Sequence, residues 1–189
     1  MRNRLIQSIT LLVLFASSST AQQGTHGEWH LHGGDAGYTR YSSLDQITTD
    51  NVTDLNIVWR RPSVDNSVKT RWPDLRHTNQ LQSTPIMIEG VLYASNGIGL
   101  LEAFDPGSGE TIWVQDTTFL GPETPRGTAG RSVAYWKSDN DLRLFAIRAP
   151  YLMAVDAATG QFVESFGNDG LVDLTYNEET GYRGTSPPL

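Results

Sequence analysis

The chain has 189 residues, of which 38% are hydrophobic and 10% aromatic, and its formal net charge is −7 at pH 7. This composition suits a globular domain with a buried core. The charge is negative and no basic stripe is present, which argues against nucleic acid as a partner, and the absence of cysteine excludes disulfides, thiolate metal sites, cysteine nucleophiles and covalent c-type haem within these residues.

The first 21 residues have the pattern of a secretory signal peptide. Arg2 and Arg4 precede an apolar run over residues 5–16, and the small residues at 19–21 follow as a cleavage site. An uncleaved anchor is the alternative, although the run is short for a membrane span. We therefore predict a signal peptide over residues 1–21 and export of the chain.

Residues 22–80 are predicted to form an N-terminal segment of one strand and several loops. Residues 30–37 are rich in glycine, which is typical of turns, and a short helical turn is predicted over residues 50–54. Residues 55–59 alternate between apolar and polar side chains as a strand does. Residues 61–80 are polar and contain two prolines, so they are predicted to be loop.

A hairpin pattern occurs twice in the second half of the chain. Residues 103–113 read Ala-x-Asp-x-x-Ser-Gly-Glu-x-x-Trp, with an apolar run before the turn residues and a β-prone run after them. The pattern returns over residues 154–164, with Thr-Gly-Gln in the turn and glutamate in place of the final tryptophan. Asp105 and Asp156 are 51 residues apart. An all-β repeat of about fifty residues is typical of a propeller blade.

Residues 81–189 are therefore predicted to be all-β and to form about two blades of an incomplete β-propeller. Repeat proteins generally need at least three units with closed ends, so we expect these residues to belong to the N-terminal piece of a longer protein. The predicted strands are 86–88, 91–94 and the two arms of 103–113 in the first unit, and 133–136, 142–147, 152–155 and 162–166 in the second.

Three polar residues are predicted to meet on the propeller axis, because the first strand of each blade lines the central channel. Gln82 lies three residues before Pro85, and Thr185 lies three before Pro188. Arg131 opens the corresponding strand of the middle unit, 49 residues after Gln82. The guanidinium offers a planar fork of donors that suits carboxylate or carbonyl oxygens. The alternative is that these are simply polar residues at strand ends.

Several segments together resemble the pyrroloquinoline-quinone (PQQ)-dependent, or quinoprotein, dehydrogenases. The repeated hairpin resembles the tryptophan docking motif of that family. The lack of an adjacent cysteine pair favours the membrane-associated glucose/quinate/shikimate branch over the methanol branch, as does one Phe-Gly pair. The segments are residues 29–60, 84–93, 103–113, 131–136 and 165–170, with the pair at Phe166-Gly167.

The resemblance implies an eight-bladed propeller with PQQ on its axis. It implies that Arg131 hydrogen-bonds the reactive quinone oxygens, and is therefore both catalytic and cofactor-binding, and that Thr185 contacts the cofactor. Gln82 occupies a position that is often glutamate in relatives. The family's Ca²⁺ ligands and aspartate base are expected beyond residue 189. His30 and His32 are too few to hold a metal, so no metal ligand is predicted in this chain.

The function implied by the resemblance is that of a periplasmic dehydrogenase, of which this chain is the N-terminal part. It would oxidise a sugar, polyol or alcohol by hydride transfer to the quinone, and electrons would leave to a membrane quinone or a cytochrome, with peripheral association at the inner membrane as an option. We expect the fragment alone to be inactive. The alternative is a non-catalytic propeller scaffold that binds protein partners; Gln82 favours it, whereas Arg131 and Thr185 argue against it.

Overall fold

The computed structural model describes residues 27–120 and 130–175, so the predicted signal peptide and Thr185 lie outside the described residues. The chain forms two four-stranded antiparallel sheets, each with its strands in sequence order. The first sheet contains β1 (Ile86–Ile88), β2 (Val91–Ser95), β3 (Leu101–Phe104) and β4 (Thr111–Val114). The second contains β5 (Ala134–Ser138), β6 (Asp141–Arg148), β7 (Tyr151–Asp156) and β8 (Leu171–Asp173).

A tight turn sets the register of the first hairpin. Glu89 and Gly90 connect β1 to β2, and both have positive φ, at 51° and 79°, which is the backbone that a two-residue hairpin turn favours. Ile86 therefore pairs with Tyr93 across the two strands. Because side chains alternate along a strand, Ile88 lies on the same face as this pair, and all three side chains are buried.

An aspartate closes the turn that follows β3 and the turn that follows β7. Asp105 Oδ1 accepts hydrogen bonds from the backbone N–H groups of Gly107 and Ser108, at 2.9 and 2.7 Å, and from the Ser108 hydroxyl. Asp156 Oδ1 accepts from the N–H and hydroxyl of Thr159, at 2.9 and 2.6 Å. The bonds from Ser108 hold the pKa of the Asp105 carboxyl below its usual value. Both turns are therefore built by an aspartate and the hydroxyl residue three positions later.

The main core lies between the two sheets, where burial of apolar surface stabilises their packing. Trp113 on β4 reaches across to the second sheet and donates Nε1–H to the carbonyl of Ala157 at 2.9 Å. A Cβ on Gly160 would lie 2.6 Å from a ring atom of Trp113, so only glycine fits beneath the indole. The core residues are Ile86, Ile88, Tyr93, Leu101 and Ala103 from the first sheet, and Val133, Leu144, Ala146, Met153, Val155 and Ala157 from the second sheet and its flanks.

The prediction that residues 61–80 are only loop is wrong, because α1 (Asn66–Arg71) lies there. Asp65 caps this helix by accepting a hydrogen bond from the N–H of Ser67 at 2.8 Å. A helix of six residues has little stability of its own, so packing holds it in place. Its apolar side belongs to a second, smaller core made of Val64, Val68, Trp72, Ile98 and Leu100.

The fourth strand of the second sheet comes later in the chain than predicted, and the strand predicted over residues 162–166 is wrong. Phe162 forms an isolated bridge with Val155, and residues 163–166 belong to no strand. The chain then turns through Gly167 and Gly170, both with positive φ, and β8 pairs with the first half of β7. Two short segments therefore share the outer position of this sheet.

The segment before the first sheet contains little regular structure. Trp29 exchanges two backbone hydrogen bonds with Met87 of β1, at 3.1 and 2.8 Å. The helical turn predicted over residues 50–54 is a 3-10 turn at Val52–Asp54. Residues 55–59, predicted as a strand, are not paired with any described strand. No helix in the described parts of the chain has the length and apolar character needed to cross a membrane.

Candidate functional site

The segments that lead into the first strand of each sheet lie side by side. The backbone N–H of Thr84 donates to the carbonyl of Arg131 at 2.8 Å, and Thr84 and Ser132 form a parallel bridge. We call these two segments, residues 82–85 and 130–133, the axial edge. Their contact brings the entrances of β1 and β5 together at one end of the two sheets.

The axial edge carries both of the predicted site residues that the structure describes. Gln82 and Arg131 are exposed, and Arg131 stands between two buried residues, Gly130 and Ser132. Within residues 27–120 and 130–175, no acidic side chain forms an ion pair with the Arg131 guanidinium. The third predicted residue, Thr185, lies outside the described residues, so the structure places only Gln82 and Arg131, on the two adjacent segments of the axial edge.

Hydrogen bonds at the ends of β2 and β6 stabilise the region around the axial edge. The N–H of Ser95, at the end of β2, donates to the hydroxyl of Ser83 at 3.0 Å. Arg148, at the end of β6, donates Nε–H to the carbonyl of Ile98 at 3.2 Å and so ties the second sheet to the β2–β3 loop. Burial lowers the pKa of the Arg148 guanidinium, although it remains charged at any physiological pH. These hydrogen bonds therefore hold in place the backbone from which the exposed side chains of Gln82 and Arg131 extend.

A buried ionic network lies beside the axial edge, and the sequence patterns described above do not predict it. Glu102 on β3 is 4% exposed. It accepts hydrogen bonds from Nη2 of Arg61 at 2.6 Å, Nδ2 of Asn96 at 2.8 Å and the backbone N–H of Asp65 at 3.1 Å. Burial raises the pKa of the Glu102 carboxyl, while the Asn96 hydrogen bond and the Arg61 charge act in the opposite direction. The sequence does contain one signal of this network, because Glu102 is the single acidic residue in the apolar run at residues 100–104. In a strand, its side chain lies on the opposite face from those of its two neighbours.

A cavity of about 260 Å³ adjoins this network. Nη1 of Arg61 is buried and has no hydrogen-bond partner in the described parts of the chain, and the same holds for the hydroxyl of Ser95. Buried donors are nearly always satisfied in native proteins, so the cavity is a place where a partner group is expected. The lining includes Trp59, Arg61, Ser83, Ser95, Glu102 and Phe104.

A second cavity, of about 320 Å³, lies between the N-terminal segment and β5. Its lining includes His30, whose ring contacts the carboxylate of Glu28 on one side and the hydroxyl of Tyr135, at 3.2 Å, on the other. Both ring nitrogens of His30 therefore have protein partners. The described residues contain no group of three or more His, Cys, Asp or Glu side chains arranged to hold a metal ion.

The arrangement of the sheets and the axial edge agrees with comparisons to known proteins. Residues 29–189 match the family model of the PQQ-type glucose/ethanol/alcohol dehydrogenase β-propeller domain. The chain belongs to this family. The prediction of an all-β partial propeller is confirmed, because the two four-stranded sheets also match a solved member of the PQQ dehydrogenases.

That solved structure is the quinohemoprotein alcohol dehydrogenase of Comamonas testosteroni, with a TM-score of 0.51 and 30% identity over 72% of this chain and 18% of that one. The alcohol dehydrogenase (quinone) dehydrogenase subunit of Gluconobacter oxydans is 32% identical over 79% of this chain and 18% of its own length. The 1-butanol dehydrogenase (cytochrome c) of Thauera butanivorans is 35% identical over 65% and 15%. The chain thus spans less than a fifth of the length of these relatives.

Because the chain belongs to the PQQ dehydrogenase family, the side chains of the axial edge can be compared with the chemical groups of PQQ. Quinone and carboxylate oxygens are hydrogen-bond acceptors, and Arg131 and Gln82 present exposed N–H donors on adjacent backbone segments. The donor set therefore fits a quinone bearing carboxylates. These two residues would hold the cofactor from the end of the sheets at which β1 and β5 begin.

Proposed function

We propose that residues 1–189 are the N-terminal part of a periplasmic PQQ-dependent dehydrogenase that oxidises the CH–OH group of an alcohol, polyol or sugar. The observation that carries this proposal is that Arg131 and Gln82 are both exposed on the two adjacent segments that lead into β5 and β1. The names of the related proteins include alcohol, 1-butanol, glycerol and glucose dehydrogenases, which supports a CH–OH substrate. The glucose/quinate/shikimate branch remains a prediction of the sequence.

In the proposed reaction, bound PQQ supplies the acceptor for the hydride that leaves the alcohol carbon. Arg131 would donate hydrogen bonds to the oxygen on which negative charge develops, and a donor fixed in advance stabilises the transition state more than the ground state. The amide of Gln82 would orient the same group from the neighbouring segment. We assign the Ca²⁺ ligands and the base that takes the hydroxyl proton to sequence beyond residue 189, and Thr185 to a further cofactor contact.

Two further parts of the proposal rest on the sequence pattern and on the relatives. Export to the periplasm follows from the signal pattern over residues 1–21. Electrons would pass to a quinone or to a cytochrome, since the relatives are named for both kinds of acceptor. Peripheral association with the inner membrane would bring the protein close to a membrane quinone.

The decisive experiment is a titration of the full-length apoprotein with PQQ, with and without Ca²⁺, followed by tryptophan fluorescence. We expect saturable binding in the wild type and weaker binding in Arg131→Ala. Arg143→Ala is the matched control, because this arginine lies near the β5–β6 turn, is paired with Asp141 and is not part of the axial edge. Absence of PQQ binding by the wild type would favour the scaffold alternative.

Activity would then be measured on the reconstituted enzyme with an artificial electron acceptor. Ethanol, 1-butanol, glycerol and glucose form a suitable substrate panel, since they cover the classes named for the relatives. A preference for glucose would support the branch predicted from the sequence, and a preference for the short alcohols would contradict it.

A further inference from the structure

The turns on which Trp59 and Trp113 dock are built alike. Trp59 donates its Nε1–H to the carbonyl of Pro106, and Trp113 donates to that of Ala157, both at 2.9 Å. Each acceptor is the residue directly after the aspartate of its turn. In both turns, a Cβ on the glycine four positions after that aspartate would lie 2.6 Å from the indole. Either tryptophan would therefore fit either turn, and the indole contacts alone do not decide which segment docks on which sheet.

A second contact differs between the two docking sites. In both, the residue two positions after the tryptophan reaches the residue three positions before the turn aspartate. On the first sheet, Nη2 of Arg61 donates to Oε2 of Glu102 at 2.6 Å. On the second, Nε2 of Gln115 donates to the sulfur of Met153 at 3.6 Å. The same pair of positions thus carries an ion pair on one sheet and an amide–thioether contact on the other.

The ion pair is matched to the first sheet by further contacts. The Arg61 guanidinium also donates to the hydroxyl of Thr111 at 3.2 Å, and its carbon atom lies 4.1 Å from the centre of the Phe104 ring. The carboxylate of Glu102 also accepts from Nδ2 of Asn96 at 2.8 Å. Each charge is therefore surrounded by groups of the first sheet and its β2–β3 loop that suit it.

Exchanging the partners would leave a charge uncompensated. Glu102, Gln115 and Met153 are 4%, 1% and 0% exposed, so none of them reaches bulk water. Arg61 opposite Met153 would place a guanidinium against a thioether, which is a weak acceptor. Gln115 opposite Glu102 would leave the buried carboxylate without its cation. Removing one partner of a buried ion pair is strongly destabilising, and penalties of this kind give specificity.

We propose that these two positions determine which tryptophan segment docks on which sheet. A segment with arginine two positions after its tryptophan fits a sheet with glutamate three positions before its turn aspartate. A segment with glutamine fits a sheet with methionine there. The proposal goes beyond the proposed function, because it concerns how the sheets recognise the segments that dock on them and involves neither PQQ nor the axial edge.

A double-mutant cycle on the protein that the whole gene encodes tests the proposal. Glu102→Met creates on the first sheet the pair that Arg61 would form on the second. Arg61→Gln creates the pair that Gln115 would form on the first. Arg61→Gln combined with Glu102→Met transfers the matched pair of the second sheet.

Urea unfolding of the four proteins measures the effect of each pair. We expect the equilibrium constant for unfolding to rise about a hundredfold in Glu102→Met and about tenfold in Arg61→Gln, because each leaves a buried charge without its partner. The double variant should stay within about tenfold of the wild type, since the two remaining groups match and the effects of contacting residues do not simply combine. If the double variant instead shows the product of the two single effects, the proposal is overturned.

Hydroxyl-radical footprinting shows which docking site has opened. In Glu102→Met, Trp59 should be oxidised faster than in the wild type, whereas the oxidation rate of Trp113 should not change. Arg60→Gln and Glu110→Gln are the matched controls, because both side chains are exposed, and they should leave both rates unchanged. Equal acceleration at Trp59 and Trp113 in Glu102→Met would indicate general loosening and would also overturn the proposal. None of these measurements requires PQQ, so their failure is distinct from failure of the proposed function.

Discussion

Ser95 and Gly130 touch across the boundary between the two sheets, and their contact leaves no room for a side chain at position 130. A Cβ on Gly130 would lie 2.6 Å from the hydroxyl oxygen of Ser95. Ser95 is 2% exposed, and its hydroxyl has no hydrogen-bond partner in the described residues. Because Arg131 follows directly, this contact fixes the backbone from which the proposed cofactor ligand extends.

We expect Gly130→Ala to destabilise the protein by about 1–3 kcal/mol, the usual cost of overpacking. Ser95→Ala removes an unpaired buried hydroxyl and should be neutral or slightly stabilising. The double variant should lose less than Gly130→Ala alone, because the clashing atom is gone. Urea unfolding of the four proteins provides the double-mutant cycle. Strictly additive effects would contradict the contact.

The docking of Trp113 on the second sheet should contribute strongly to stability. Trp113→Ala removes a large, mostly buried ring and should cost about 2–4 kcal/mol. Trp113→Phe keeps most of the ring but loses the hydrogen bond to Ala157, so its cost should be nearer 1 kcal/mol. The control is Trp136→Ala, since that side chain is 47% exposed. Equal losses for Trp113→Ala and Trp136→Ala in urea unfolding would contradict the docking role.

Arg131 should matter for turnover in the reconstituted full-length enzyme. Loss of one donor to the oxygen that gains charge typically costs about 3–4 kcal/mol, or roughly a hundred- to a thousand-fold in kcat. Arg131→Lys should recover only part of this, because a point charge does not reproduce a planar fork. kcat would be measured at saturating substrate. Turnover unchanged in Arg131→Ala, with PQQ still bound, would remove this residue from the mechanism.

Glu102 should make stability depend on pH. Burial raises the pKa of its carboxyl in the folded state, so the folded protein binds this proton more tightly than the unfolded chain does. The resulting stabilisation is complete below the usual carboxyl value of 4.5 and is lost as the pH rises through the folded-state pKa. Relative to Glu102→Gln, which does not titrate, the wild type should therefore gain stability towards acid pH.

The measurement for Glu102 is urea unfolding of both proteins from about pH 4 to pH 8. The control is Glu110→Gln, an exposed position that should change stability by less than about 0.5 kcal/mol. A difference between wild type and Glu102→Gln that does not vary with pH would contradict the effect of burial.

Local chemistry in the sequence was enough to predict most of the two sheets. The turn at Asp105 and the turn at Asp156 depend on hydrogen bonds within four residues, so their residues alone indicate them. The strands β1, β2, β5, β6 and β7 were predicted close to their observed bounds because apolar runs and turn residues alternate there. The blade spacing predicts that the segments of Gln82 and Arg131 are neighbours, and the structure joins these segments through the hydrogen bond from Thr84 to Arg131.

The features that were missed depend on distant partners. α1 is held by packing against Ile98 and Leu100, about thirty residues later in the chain, and its six residues show no helical period. β8 was misplaced because residues 162–166 are as apolar as a strand, whereas the pairing is decided by the turn at Gly167 and Gly170. No local pattern shows that Glu102 and Arg61 meet, since their sequence separation is 41 residues.

The tryptophan contacts also set the earliest time during synthesis at which each tryptophan can dock on its turn. Trp113 donates to a carbonyl 44 residues ahead of it, and Trp59 to one 47 residues ahead. At about 5–20 residues per second, each indole waits roughly 2–9 s for the turn that will cover it. While the ribosome adds the residues between Trp113 and Ala157, the growing chain therefore carries a tryptophan whose docking turn has not yet been made.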